Sequence, residues 1–136
     1  MEVHELAEFI ENIIINNKDK IDALYIANGG FEGWFQCELY YALVSSGEYT
    51  SVQREIPYDD GTFVDLCVDG MFIELKVDSA HRTGTDMVEG FFSDIEKISG
   101  QGFAVLITKN NYSGDIPEEA NYSNLQTDYN VFIGWE

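Results

Sequence analysis

The run from residue 63 to residue 77, FVDLCVDGMFIELKV, constrains the fold more than any other part of the chain. Asp69 and Gly70 stand between two short runs of β-branched, aromatic and aliphatic residues, which is the pattern of a hairpin closed by a two-residue turn. If these two residues form the turn, the register places Asp65 directly opposite Glu74. The sequence therefore predicts an antiparallel strand pair that carries two opposed carboxylates.

Alternation of side chains along a strand divides this hairpin into an apolar face and a mixed face. The predicted apolar face carries Val64, Leu66, Val68, Met71, Ile73, Leu75 and Val77, and the mixed face carries Phe63, Asp65, Cys67, Phe72, Glu74 and Lys76. Like charges directly opposite each other destabilise a strand pair, so we expect a cation to offset them. A divalent ion beside Lys76 is one solution. The alternative is a surface hairpin whose carboxylates face water and whose lysine pairs with one of them.

Periodicity and turn residues place the remaining elements around this hairpin. Helices are predicted over residues 2–17, 19–27, 31–44 and 86–99, and strands over 50–56, 103–108 and 129–135. Residues 109–126 are rich in turn formers and are predicted to be a surface loop. A strand, a helix and a strand in succession require a crossover, which makes the sheet mixed. We expect one α/β domain over residues 1–136, with a mixed central sheet flanked by helices. Its αβββαβ core is preceded by two extra helices and followed by a C-terminal strand.

Composition limits the partners of the chain. Lys and Arg number 7 against 25 Asp and Glu, for a net charge of −18 in 136 residues. Because Lys and Arg provide most non-specific affinity for nucleic acid, we expect the protein alone to bind DNA weakly. The acidic start of the chain and the lack of a long apolar run favour a soluble, cytoplasmic protein without a membrane partner. Cys37 and Cys67 have no metal-type spacing and are expected to be reduced thiols.

Three features together resemble the PD-(D/E)XK nuclease superfamily. Asp65 is followed after eight residues by Glu74-Leu75-Lys76, on the second and third predicted strands. The helix before them carries Glu38, where members of this group often place a further glutamate. The order of elements over residues 31–108 is that of the restriction-endonuclease-like fold. One departure is Val64, which stands where the namesake motif has proline.

The resemblance implies hydrolysis of phosphodiester bonds with Mg²⁺ or Mn²⁺, and DNA as the expected nucleic acid substrate. Asp65, Glu74 and the carbonyl of Leu75 would bind the metal, and Lys76 would act beside the attacking water. Glu38 would bind a second metal or act through a water. Weaker candidates for contacts with the substrate phosphate are His81, Arg82 and Lys97.

A different class of function fits the acidity of the chain. The same fold without catalysis could serve as a binding module that docks a basic or nucleic-acid-binding protein, as an inhibitor or DNA mimic does. A homodimer or a partner subunit is also compatible with the expected weak binding of DNA. Binding of a divalent ion that depends on Asp65 would favour the enzyme over the module.

Overall fold

The computed structural model describes residues 1–82, 84–109, 120–125 and 128–136. Its helices and strands, in chain order, are α1 (Val3–Asn16), α2 (Lys18–Ile26), α3 (Glu32–Ser46), β1 (Val52–Pro57), β2 (Phe63–Val68), β3 (Met71–Val77), α4 (Gly84–Lys97), β4 (Gly102–Lys109), β5 (Tyr122–Leu125) and β6 (Tyr129–Gly134). The predicted elements are all present. The short strand β5 is an addition within the stretch predicted to be a loop. Residues 110–119 and 126 of that stretch lie outside the described residues.

The strands form one six-stranded sheet in the order β1-β2-β3-β4-β6-β5. Among the strands of the described residues, only β3 and β4 pair in parallel, and the crossover between them contains α4. All other neighbours are antiparallel. The predicted α/β class, with a mixed sheet flanked by helices, is therefore confirmed.

Each face of the sheet buries a separate apolar cluster. The larger cluster packs α1, α2 and α3 against one face, and it includes Leu6, Ile10, Ile21, Phe35, Leu39, Leu66, Ile73, Leu75 and Val105. The smaller cluster packs α4 against the other face, and it includes Val64, Met87, Phe91, Ile98, Ala104, Leu106 and Phe132. The central strands β3 and β4 are covered on both faces, as a strand pair joined by a helical crossover must be.

The hairpin has the predicted register, with Val68 opposite Met71. Asp69 and Gly70 form its turn with φ angles of 48° and 85°. Positive φ at both central residues is the geometry of the tight turn whose twist matches that of the two strands. The Asp69 carboxylate also accepts a hydrogen bond of 2.7 Å from the backbone N–H of Ser51, which fixes the turn to the start of β1.

The predicted apolar face is wrong at Val64. This residue packs in the cluster under α4, whereas Leu66 packs in the cluster on the opposite face. The alternation breaks at Asp65, between them. Glu55, which lies across from Asp65 on β1, has a φ of 53° and interrupts the ladder there. Both strands are locally distorted at this point. As a result, the side chains on either side of Asp65 do not follow the alternation expected for a regular strand.

Among the described residues, none of the four helices is long and apolar enough to cross a bilayer.

Candidate functional site

The two hairpin carboxylates lie where β2 and β3 stop pairing through their backbones. The ladder runs from Val68 and Met71 to Leu66 and Ile73 and does not continue to the next pair. Instead, the backbone N–H of Asp65 donates to Glu74 Oε1 at 2.9 Å. The N–H of Leu75 donates to Asp65 Oδ2 at 2.7 Å. Each carboxylate is thus held by the backbone of the opposite strand, and these bonds offset part of the repulsion between them.

Helix α3 contributes Gln36, a residue that the sequence analysis missed. The side chain is buried, and its Nε2 donates to Asp65 Oδ1 at 3.0 Å and to Glu55 Oε1 at 3.2 Å. Its Oε1 accepts a hydrogen bond of 3.0 Å from Arg54. Gln36 therefore orients the Asp65 carboxylate from the side of α3. The signal in the sequence is a polar residue on the buried face of the helix, beside Phe35 and Leu39.

The glutamate that α3 brings to the strands is Glu32 rather than Glu38. Glu32, one turn before Gln36, accepts hydrogen bonds at Oε1 from the N–H of Val77 at 3.0 Å and from Arg82 at 3.3 Å. Glu38 follows Gln36 by two residues, which places it about 200° around the helix. It is half-exposed and makes no hydrogen bond or ion pair within the described parts of the chain. The structure does not bring Glu38 to Asp65.

Helix α4 covers the other side of the two carboxylates with one acid and one base. Asp94 Oδ2 lies 3.9 Å from Lys76 Nζ. Lys97 Nζ lies 3.4 Å from Glu74 Oε2 and donates to the carbonyl of Phe63 at 2.8 Å. Lys97, predicted as a weak phosphate contact, is therefore engaged with Glu74. We name Asp65, Glu74, Lys76, Asp94 and Lys97 the hairpin cluster.

Burial raises the pKa of the acids in this cluster. The pKa of Asp65 rises to about 6, mainly because the carboxyl is desolvated, while the Leu75 N–H lowers it and Glu74 raises it further. The pKa of Asp94 also rises to about 6, again mainly through desolvation, although Lys76 opposes the shift. Desolvation raises the pKa of Glu74 in the same direction. The bonds available in the cluster do not fully compensate the buried negative charge.

The two residues after β3 that were predicted to contact phosphate have separate roles. His81 Nε2 lies 3.0 Å from the carbonyl of Ile26, at the end of α2. Arg82 binds Glu32 and the carbonyl of Val77, both at 3.3 Å. Both residues line a cavity of about 330 Å³ at the start of α3, together with Glu32. Arg82 is thereby linked through Glu32 to the end of β3, whereas His81 contacts the end of α2.

The hairpin cluster offers oxygen ligands, which are the type of ligand that Mg²⁺ prefers. Within the described residues, no three His, Cys, Asp or Glu side chains converge to hold a metal ion by themselves. Mg²⁺ is commonly bound by one or two carboxylates completed by waters and substrate phosphates, so a pair of acids is sufficient. The N–H of Leu75 points toward Asp65, and the carbonyl of a strand residue faces the same edge as its N–H. Asp65, Glu74 and this carbonyl therefore share one gap.

Comparison of this chain with protein-family models, with curated proteins and with solved structures finds no match.

Proposed function

We propose that this protein is a divalent-metal-dependent nuclease of the PD-(D/E)XK type, with DNA as its substrate. The observation that carries the proposal is the pair of carboxylates, Asp65 partly buried and Glu74 buried, at the point where β2 and β3 part. Lys76 lies two residues beyond Glu74 on the same strand. The order of α3, β1, β2, β3, α4 and β4 is also the order on which the resemblance to that superfamily rests.

The excess of carboxylates in the hairpin cluster favours the binding of a cation. Asp65, Glu74 and Asp94 provide three carboxylates, whereas Lys76 and Lys97 provide two ammonium groups. Buried charges need partners, and an unpaired carboxylate in such a place is strongly destabilising. Burial raises the pKa values of Asp65 and Asp94, mainly through desolvation, and a nearby cation would favour their ionised forms. A bound divalent ion would supply that charge.

The chemistry of phosphodiester hydrolysis assigns a role to each group. Asp65, Glu74 and the carbonyl of Leu75 would hold the ion. A divalent ion in such a site polarises a phosphoryl oxygen and lowers the pKa of bound water. Lys76 would place its ammonium beside the attacked phosphate and offset the negative charge that develops there. Gln36 would keep Asp65 Oδ1 oriented, and Lys97 would do the same for Glu74 Oε2.

A cleavage assay tests this proposal directly. Duplex, single-stranded and branched DNA are incubated with the protein and Mg²⁺ or Mn²⁺, with a chelator as the blank. We expect Asp65→Ala and Lys76→Ala each to abolish cleavage, and Glu89→Gln, an exposed carboxylate of α4, to leave it unchanged. Cleavage that persists in both alanine variants at the wild-type rate rules the assignment out.

The same assay decides which glutamate of α3 takes part. Glu32 contacts the end of β3, whereas Glu38 lies on another side of the helix. Glu32→Gln is expected to reduce cleavage, and Glu38→Gln to leave it intact. The reverse result would support the placement predicted from the motif.

A second candidate function is a catalytically silent module that docks a basic protein. The observation in its favour is an acidic cavity of about 400 Å³ between α1 and the end of α3, lined by Glu5, Glu8 and Glu48 around Phe9. A lysine or arginine side chain of a partner would find three carboxylates and an aromatic ring there. The module predicts no metal-dependent cleavage, together with stable binding of a basic protein that Glu5→Gln and Glu8→Gln weaken.

A further inference from the structure

Helix α4 contains a glycine, Gly90, in its interior, where glycine is unfavourable compared with alanine. A Cβ atom placed on Gly90 would lie 2.8 Å from Cε, 3.1 Å from Nζ and 3.3 Å from Cδ of Lys76. These are the three atoms nearest to that position, and all belong to one side chain. The missing Cβ therefore makes room for the stem and the ammonium of Lys76.

Asp94 completes this arrangement one helical turn further along α4. Its Oδ2 lies 3.9 Å from Lys76 Nζ, and the Lys76 and Asp94 side chains are 22% and 13% exposed. A lysine has a long flexible stem, so its ammonium is held in one place only where the surroundings restrict it. Gly90 restricts it by shape and Asp94 by charge.

We propose that Gly90 is a positioning residue, which with Asp94 forms a notch on α4 that holds the Lys76 ammonium beside Asp94. The catalytic consequence rests on the proposed nuclease function, whereas the contact between Gly90 and Lys76 does not. Helix α4 then sets the position of the ammonium. Strand β3, which carries Lys76, sets only where that side chain begins.

Thermal unfolding of four variants tests the contact without any assay of activity. Gly33→Ala in the first turn of α3 is the control for a helical glycine with free space, because a Cβ there meets nothing within 4 Å. We expect Gly33→Ala to raise Tm by about 2–5 °C. Gly90→Ala is expected to leave Tm unchanged or to lower it. In a Lys76→Ala background, Gly90→Ala is expected to raise Tm about as much as Gly33→Ala does. If Gly90→Ala raises Tm equally in the wild-type and in the Lys76→Ala background, the proposal is overturned.

Two further readouts report the position of the ammonium. In Gly90→Ala, the Lys76 amine is expected to be acylated faster, as followed by mass spectrometry, because it is displaced from α4 into solvent. In the cleavage assay, Gly90→Ala is expected to lower kcat on the order of 100-fold at an unchanged KM for DNA, since misplacement by about 1 Å has such an effect. Gly33→Ala should change neither quantity.

The outcomes separate this inference from the nuclease proposal. If the Tm series and the acylation rates behave as expected but the wild-type protein cleaves no DNA, the positioning of Lys76 stands and the nuclease function fails. If the wild-type protein cleaves DNA and Gly90→Ala cleaves it equally well, the role of Gly90 is refuted.

Discussion

Asp65 is the residue of the hairpin cluster at which burial opposes ionisation of the carboxyl group. The side chain is partly buried and close to Glu74, and its carboxylate accepts hydrogen bonds from the N–H of Leu75 and from Gln36. Desolvation outweighs these bonds, so the pKa of Asp65 lies at about 6 instead of 3.8. A carboxylate held in this way destabilises the metal-free protein near neutral pH. Binding of a cation would remove that cost.

This balance predicts how the stability of the metal-free protein depends on pH. The folded protein holds the Asp65 and Asp94 protons more tightly than the unfolded chain, so their stabilising effect is complete below about pH 4 and is lost as pH rises through about 6. We expect the free energy of unfolding in urea to fall by about 4–5 kcal/mol between about pH 4 and pH 7, about half from each carboxyl. Asp65→Asn should remove about half of this fall. A fall of the same size in the variant would contradict the account.

The residues of the site differ in how far the sequence can predict them. Asp65, Glu74 and Lys76 follow from the turn at Gly70, because the register of a two-residue hairpin fixes every pair beyond it. Glu32, Gln36 and Asp94 could not be predicted in the same way. Their positions depend on how α3 and α4 are rotated against the sheet, and this rotation is set by packing between distant parts of the chain.

At the scale of elements, the hairpin turn controls the geometry of the site. Asp69 and Gly70 both have positive φ angles, and the turn is also bonded to β1 through Asp69. A slip of one residue would send Asp65 and Glu74 to opposite faces. The turn is therefore the element whose local conformation determines whether the two carboxylates meet.

Two glycine variants measure the contribution of this turn. Gly70 has a φ of 85°, whereas Gly33 lies in α3 with open space around it. Gly70→Ala is expected to destabilise the protein by about 1–2 kcal/mol, because an L side chain is strained there. Gly33→Ala is expected to stabilise it by up to about 1 kcal/mol. Urea denaturation of both variants gives the two values, and equal changes of one sign would contradict the turn geometry.

The elements themselves were largely predictable because their apolar periodicity is strong. The exception is β5, with the sequence YSNL, which is too short and too polar to show a strand pattern. It forms because β6 offers it a pairing edge, with Tyr122 opposite Ile133. The break at Val64 has a related cause, since Glu55 on the neighbouring strand distorts the chain opposite Asp65. Both features arise from contacts between strands that a single segment does not contain.

Over the whole molecule, the few basic residues are concentrated near the proposed site. The chain has 7 Lys and Arg, and four of them, Arg54, Lys76, Arg82 and Lys97, bind residues in or next to the hairpin cluster. These cations are engaged with neighbouring groups of an otherwise acidic protein, so they offer little to a distant phosphate. The approach of nucleic acid would then depend on a bound divalent ion, which couples metal binding to substrate binding.

Calorimetric titration with Mn²⁺ tests the central claim most directly. We expect the wild-type protein and Glu89→Gln to bind the ion at one site per chain, and Asp65→Asn to lose this binding. Because Asn keeps the size of the side chain and removes its charge, a loss would report the carboxylate itself. No binding by the wild-type protein, or equal binding by Asp65→Asn, would contradict a metal site between β2 and β3.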